Sequence, residues 1–261
     1  MMNFPFILAQ ATYYYGNDYY AGSMPGMYSG VTLIGGVILL LTMLVGGAVQ
    51  MGLKSAFNRY AQEDAPLTGA EVARRMLRQN GLDDVQVIST PGRLTDHYNP
   101  MDRTVNLSES VYNEASVAAM AVAAHECGHA IQHARAYPWL GMRSSMVPMV
   151  NLGSRLGQIV LMVGLALLAA GSGTVVAWIG LALYALTTLF ALVTLPVEFD
   201  ASRRALAWLE QSGLATRAMH GQAGTALRWA AMTYVAAALS SLAMLLYYAL
   251  IIMSRASSNR E

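Results

Sequence analysis

The chain has 261 residues, of which 55% are hydrophobic and only 12% charged, whereas roughly a quarter of the residues in an ordinary soluble domain are charged. That balance excludes a water-soluble globule and requires the surplus apolar surface to face lipid. A formal net charge of +1 gives no electrostatic footing for nucleic acid, and a single cysteine, Cys127, excludes an intramolecular disulfide framework.

Residues 1–30 are rich in Tyr and Gly, as in Tyr13-Tyr14-Tyr15 and Tyr19-Tyr20. They read as a flexible arm whose aromatic rings attach to the membrane interface. The arm holds no Lys or Arg, so it lacks the basic start of a cleaved signal peptide, and the span that follows is expected to remain as an anchor. That first transmembrane helix is predicted over residues 31–53, a run free of charged residues and long enough to cross a bilayer.

Residues 54–155 form the first large segment outside the membrane. Thr68-Gly69-Ala70-Glu71 has the spacing of a capping box and precedes the apolar stripe Val72, Ala73, Met76 and Leu77, while Asn80-Gly81 stops it, so a helix is predicted over 69–79. Val85–Ile88 and Thr104–Leu107 are short runs rich in β-branched residues, separated by the turn pairs Pro91-Gly92 and Asn99-Pro100. They predict a small antiparallel sheet. An Ala-rich run from Ser116 to Ala124 then leads into His125, predicting a helix over 114–135.

The uncharged stretch 156–197 is about twice the ~20 residues that one crossing needs, and Gly171-Ser172-Gly173-Thr174 at its centre supplies a turn. It reads as a transmembrane hairpin of helices 156–170 and 174–196. A second outer segment, 198–228, leads to a last span over 229–253 and a tail, 254–261. Of the 16 Lys and Arg, ten lie in 54–155, four in 203–228, two in the tail and none in the arm. Positive charge collects on the cytoplasmic side, so the two outer segments are expected to be cytoplasmic, although Arg255 and Arg260 run against this. The expected protein is therefore mainly α: a multi-pass cell-membrane protein with four transmembrane helices.

Within the Ala-rich helix stands His125-Glu126-Cys127-Gly128-His129. Residues i and i+4 of a helix lie only about 40° apart, so both imidazoles can bind one zinc ion. Glu126 follows the first ligand directly, the position of a general base for zinc-activated water, and this predicts a zinc-dependent peptidase. Gly128 leaves room beside the metal, while Cys127 points roughly 200° from His125 and is a packing residue. A hydrolytic zinc site needs a third protein ligand. His133 is one candidate, although no glycine turn follows His129. In 198–228 the carboxylates are Glu198, Asp200 and Glu210, and the first two sit where the third span leaves the membrane, where a charge is costly unless it is used or solvated. His97 and Tyr98 fall between the predicted strands and are candidates to contact a transition state or substrate. Arg203 and Arg204 could orient a substrate or act only as orientation charges, and His220 has no identifiable partner.

Leu67–Ala73, Asp96–Pro100, Val122–Gln132, Glu198–Leu206 and Thr233–Leu239 together resemble the YugP-type neutral zinc metallopeptidases, over most of residues 30–250. More distantly, the order of anchor, His-Glu-x-x-His helix, hairpin and Glu-bearing helix resembles the HtpX and CAAX-processing membrane peptidases. These resemblances imply a zincin-like α+β domain on the cytoplasmic face and Glu198 as the third zinc ligand, a gluzincin-like set. They also imply a membrane-associated protein or peptide as substrate. The wider group carries an Asp four residues after that glutamate, where this chain has Ser202, so Asp200 or a backbone carbonyl is expected to support the ligands instead. The competing reading is a membrane scaffold or adaptor that keeps zinc only as a structural staple, with a closed four-ligand site that includes both His133 and Glu198.

Overall fold

The computed structural model describes residues 27–258. The Tyr/Gly-rich arm, apart from its last four residues, and the end of the tail lie outside them. The elements in order are α1 (Met27–Tyr60), α2 (Gly69–Gln79), β1 (Gln86–Thr90), β2 (His97–Asn99), β3 (Thr104–Ser108), α3 (Glu109–Tyr112), α4 (Val117–Ala134), α5 (Pro138–Ala169), α6 (Thr174–Gln211) and α7 (Arg217–Ser258). Four helices, α1, α5, α6 and α7, are long and apolar enough to cross a membrane, as backbone hydrogen bonding in lipid requires of any open-chain span. They overrun the apolar stretches: α5 begins at Pro138, α6 runs on through Glu198 to Gln211, and α7 already begins at Arg217. The helical backbone continues beyond the apolar stretches at these ends, and α5 carries Pro148 within it.

The chain divides into two compact units, and the long helices contribute residues to each. One comprises, among the described residues, 27–48, 147–191 and 235–258. Leu161, Leu168, Ala177, Leu181, Tyr248 and Ile252 form its buried cluster. Gly164 and Gly180 let α5 and α6 meet backbone to backbone, since a Cβ on Gly180 would fall 2.4 Å from the Leu161 backbone. The turn between those helices passes through Gly171 and Gly173 at φ 82° and 78°, a region that costs an L side chain strain. Leu33, Ile34, Val37, Leu40, Leu41 and Leu44 of α1 are exposed, as a lipid-facing surface demands.

The other unit comprises 49–146 and 192–234. Helix α2 begins with the full capping box: Thr68 accepts from the Glu71 N–H, and Glu71 accepts from the Thr68 N–H. Its apolar face, with Val72, Ala73, Met76 and Leu77, joins Val105, Leu107, Met120, Cys127, Ala205, Leu209 and Leu227 in one core. The sheet is not antiparallel throughout, as expected from the sequence, but mixed in the order β1-β3-β2. Strand β1 pairs parallel to β3, with Val87 opposite Val105, whereas β2 pairs antiparallel to β3, with Tyr98 opposite Val105. The expectation failed because the chain between the two β-branched runs is long enough to form a strand of its own. That strand, β2, takes the hairpin position on one side of β3 and leaves the other side to β1.

Candidate metal centre

Every residue of α4 from Val117 to Ala124 is buried, so its Ala-rich sequence reflects close packing on all sides as much as helix propensity. Ser116 caps it, accepting from the Ala119 N–H at 3.2 Å. One turn apart at its far end, His125 and His129 stand edge to face with ring centroids 4.8 Å apart. Their Nε2 atoms lie 3.3 Å and 3.7 Å from one oxygen, Oε2 of Glu198 on α6. The three donor atoms all fall within 4.8 Å of one another, and among the described residues this is the His/Cys/Asp/Glu group that could hold a metal ion.

Gly128 brings the two helices together. A Cβ there would fall 2.6 Å from the Ala201 carbonyl oxygen, closer than carbon and oxygen can approach. The sequence reading of Gly128 as room beside the metal is therefore corrected: the space it leaves is filled by the α6 backbone three residues beyond Glu198.

The second nitrogen of each imidazole is already engaged. His125 Nδ1 lies 3.1 Å from the Ser202 hydroxyl, and His129 Nδ1 lies 3.0 Å from Gln132 Oε1. The Gln132 amide cannot be turned round, because its NH2 donates to the Val197 carbonyl at 2.8 Å and to Asp200 Oδ2 at 2.9 Å. Its oxygen must then accept from His129, which keeps a proton on Nδ1 and makes Nε2, on the Glu198 side, the nitrogen that would give up its proton to a metal. Two imidazoles with their outer nitrogens held, and one buried carboxylate, form the donor set of a zinc site that keeps a coordination position open. The residues present fit zinc.

Glu126 is buried beside this set and accepts the backbone N–H of Tyr98 on Oε2 at 3.0 Å. Burial pushes its carboxyl above the usual range, against the opposing pull of His125 and His129. Burial acts in the other direction on His129, but the Glu198 carboxylate outweighs it and the imidazole is pushed up to about 9. Strand β2 is held in place by Asp96, a buried carboxylate that accepts from the Ser108 N–H at 2.7 Å and from its hydroxyl at 3.0 Å.

The other candidates are placed as follows. Tyr98 reaches the site through its backbone, while its hydroxyl meets His133 Nδ1 at 2.8 Å. His133 is exposed and is not part of the donor group. The His97 ring is exposed, with Nδ1 2.7 Å from the Thr95 carbonyl, so it belongs to its own turn. Arg203, 77% exposed, pairs with Asp200, as does Arg204, whose guanidinium also lies over the Tyr137 ring. Cys127 is buried in the core. Gln132 and Asp96 escaped the sequence reading of the site. Gln132 was detectable in principle, because i+3 from His129 is a neighbouring position on one helix. Ser202, noted in the sequence only as a departure, is i+4 from Glu198 and takes the place beside His125 directly.

A family model described as "Putative neutral zinc metallopeptidase" matches residues 36–253. The chain is also 41% identical over 212 residues to "Putative membrane protease YugP" of Bacillus subtilis (strain 168), an alignment covering 80% of this chain and 92% of the relative. No solved structure matches it.

Proposed function

Because the chain belongs to the neutral zinc metallopeptidase family, we propose that it is a membrane-embedded, zinc-dependent endopeptidase of gluzincin-like type, with Glu126 as general base and membrane or membrane-proximal proteins as substrates. The observation that carries this reading is the convergence of His125 and His129 Nε2 on the Glu198 carboxylate, with both outer imidazole nitrogens held by other partners. His125, His129 and Glu198 would hold the metal. Zinc, when bound, supplies the Lewis acidity that acidifies water and polarises a peptide carbonyl.

The protein's own part follows from the hydrogen bonds. The Tyr98 N–H occupies Oε2 of Glu126, so Oε1 is the oxygen that takes a proton from water and returns it to the leaving amine. A carboxyl raised by burial gives up that proton less readily than an exposed one, which suits it to both halves of the transfer. The catalytic segment is assigned to the cytoplasmic face on the bias of Lys and Arg toward 54–155 and 203–228. Four apolar helices support a place in the membrane, and a substrate in or near the bilayer follows from it.

The structural-staple alternative needs a closed site with a fourth protein ligand, and His133 is instead engaged by the Tyr98 hydroxyl. Metal analysis and a protease assay, run in parallel on the purified wild type and on Glu126→Gln, test the proposal. Both proteins should carry about one zinc per chain, and the variant should cleave about 100- to 10,000-fold more slowly. Wild-type cleavage by Glu126→Gln would remove Glu126 as the base, and a wild type that binds zinc without cleaving would favour the staple.

A further inference from the structure

Strand β2 has only three residues, so its ladder to β3 offers few hydrogen bonds, and its two ends are secured differently. Asp96 ties the start to Ser108. At the other end the bonds stay within the turn, where the Asn99 side chain donates to Asp102 at 2.7 Å and accepts the Met101 N–H at 3.0 Å. Between these ends Tyr98 makes two hydrogen bonds to α4. Its N–H donates to Glu126 Oε2 at 3.0 Å, and its hydroxyl lies 2.8 Å from His133 Nδ1.

The two attachment points on α4 are two turns apart, about 10.5 Å along the axis and within about 20° of the same direction. Tyr98 therefore lies lengthwise on one face of the helix and is pinned at both ends. Its ring packs against the core and stands 5.8 Å, centroid to centroid, from the His133 imidazole. In an antiparallel pair, successive residues turn their backbone groups alternately toward and away from the partner strand. The bond to Glu126 means that Tyr98, opposite Val105, turns its N–H away from β3, which leaves the placing of this N–H to contacts with α4. His133 is a firm post for such a contact. Its side chain is exposed, but its carbonyl accepts the Ala136 N–H at 3.0 Å, and the Gln132 carbonyl accepts the Tyr137 N–H at 2.9 Å, so this end of α4 is closed.

We infer that His133 is a positioning residue for Glu126, acting through Tyr98: it holds the phenol, the phenol holds β2 at one depth against α4, and the Tyr98 N–H is thereby kept on Oε2, leaving Oε1 for the proton. The inference rests on the peptidase reading above, with Glu126 as base, and adds a residue that lies outside the metal-donor group.

A backbone N–H cannot be removed by substitution, so the side-chain tether is varied instead, in the full chain in detergent, with two readouts. Hydrogen exchange followed by mass spectrometry on peptides spanning 97–99 reports the hold on the amide, and a protease assay with dye-labelled casein reports kcat and KM. Tyr98→Phe and His133→Ala should each speed exchange and lower kcat about 2- to 10-fold, the effect of one net hydrogen bond, with KM and zinc content unchanged. The double variant should lose no more than either single one, because both remove the same contact. His133→Asn, whose amide can meet the phenol where Nδ1 does, should restore both readouts. Wild-type exchange in both single variants, additive losses in the double variant, or no rescue by His133→Asn overturns the inference while the peptidase reading stands. Faster exchange with kcat unchanged does the same, since it marks a merely structural contact, and loss of zinc in His133→Ala would make that residue a ligand instead. A wild type that binds zinc without cleaving, or Glu126→Gln cleaving at the wild-type rate, refutes the reading of Glu126 as base and the inference with it.

Discussion

Gln132 decides which nitrogen of His129 carries the proton, and it does so only because Asp200 and the Val197 carbonyl fix its amide. Gln132→Leu keeps the size but removes this control. Zinc affinity should fall about 10- to 100-fold by chelator competition, and an unchanged affinity would remove Gln132 from the site. A different proton, the one on His129 Nε2, titrates against Glu198. With the metal absent, Glu198 pushes this imidazole up to about 9 from an ordinary 6.5, so zinc has to displace a proton across that window. Zinc affinity should therefore rise as pH increases toward about 9, with proton release on binding in weakly buffered solution. For the metal-free protein the sign is reversed. A folded-state value above the unfolded one adds stability that is full below pH 6.5 and is lost as pH rises through about 9. Thermal unfolding of chelator-treated protein should fall over that range, and a flat profile would contradict the Glu198–His129 pair.

At the scale of elements, the site depends on two helices approaching more closely than side chains allow. Gly128 has no Cβ to meet the Ala201 carbonyl, so α4 can lay its histidines against the α6 carboxylate. Gly128→Ala should therefore push α4 away from α6, costing about 1–3 kcal/mol through overpacking and weakening zinc binding at the same time. Stability measured by denaturation and zinc content measured on the same sample check both effects. A variant that keeps wild-type values in both would mean that the approach is not tight. Strand β2 works in the same way from the other side, since Asp96 ties it to Ser108 and its Tyr98 N–H then reaches Glu126. In the sequence, 97–99 looked like a loop because three residues between Asp96 and Pro100 are too few to show alternation. The helix over Gly69–Gln79 was legible because its signals, capping box, apolar stripe and Asn80-Gly81 stop, are all local.

For the molecule as a whole, four helices among the described residues meet the length and hydropathy of membrane spans. The cytoplasmic orientation proposed above rests on the distribution of Lys and Arg. A cysteine placed at Asp83, exposed before the sheet, should resist an impermeant maleimide in intact cells and react after lysis. One at Ser172, exposed in the hairpin turn, should react from outside. The buried Cys127 contributes little background, and the opposite labelling pattern would invert the topology.

What the sequence determined by itself was what short-range physics encodes: apolar runs of bilayer length, the capped helix, and two histidines one helical turn apart with a glutamate between them. Glu198 was visible as a carboxylate at the end of a span, and the family resemblance singled it out from Asp200 and Glu210. Tertiary structure alone decided the parallel pairing of β1 with β3, because strand partners are chosen across the whole domain and not within a run. It also decided the groups that hold the donors. Gln132 reaches Asp200, Ser202 reaches His125, and the Tyr98 backbone reaches Glu126. These contacts join residues far apart in the chain: the first two need Gly128 to let α4 and α6 touch, and the third needs Asp96 to hold β2 against Ser108.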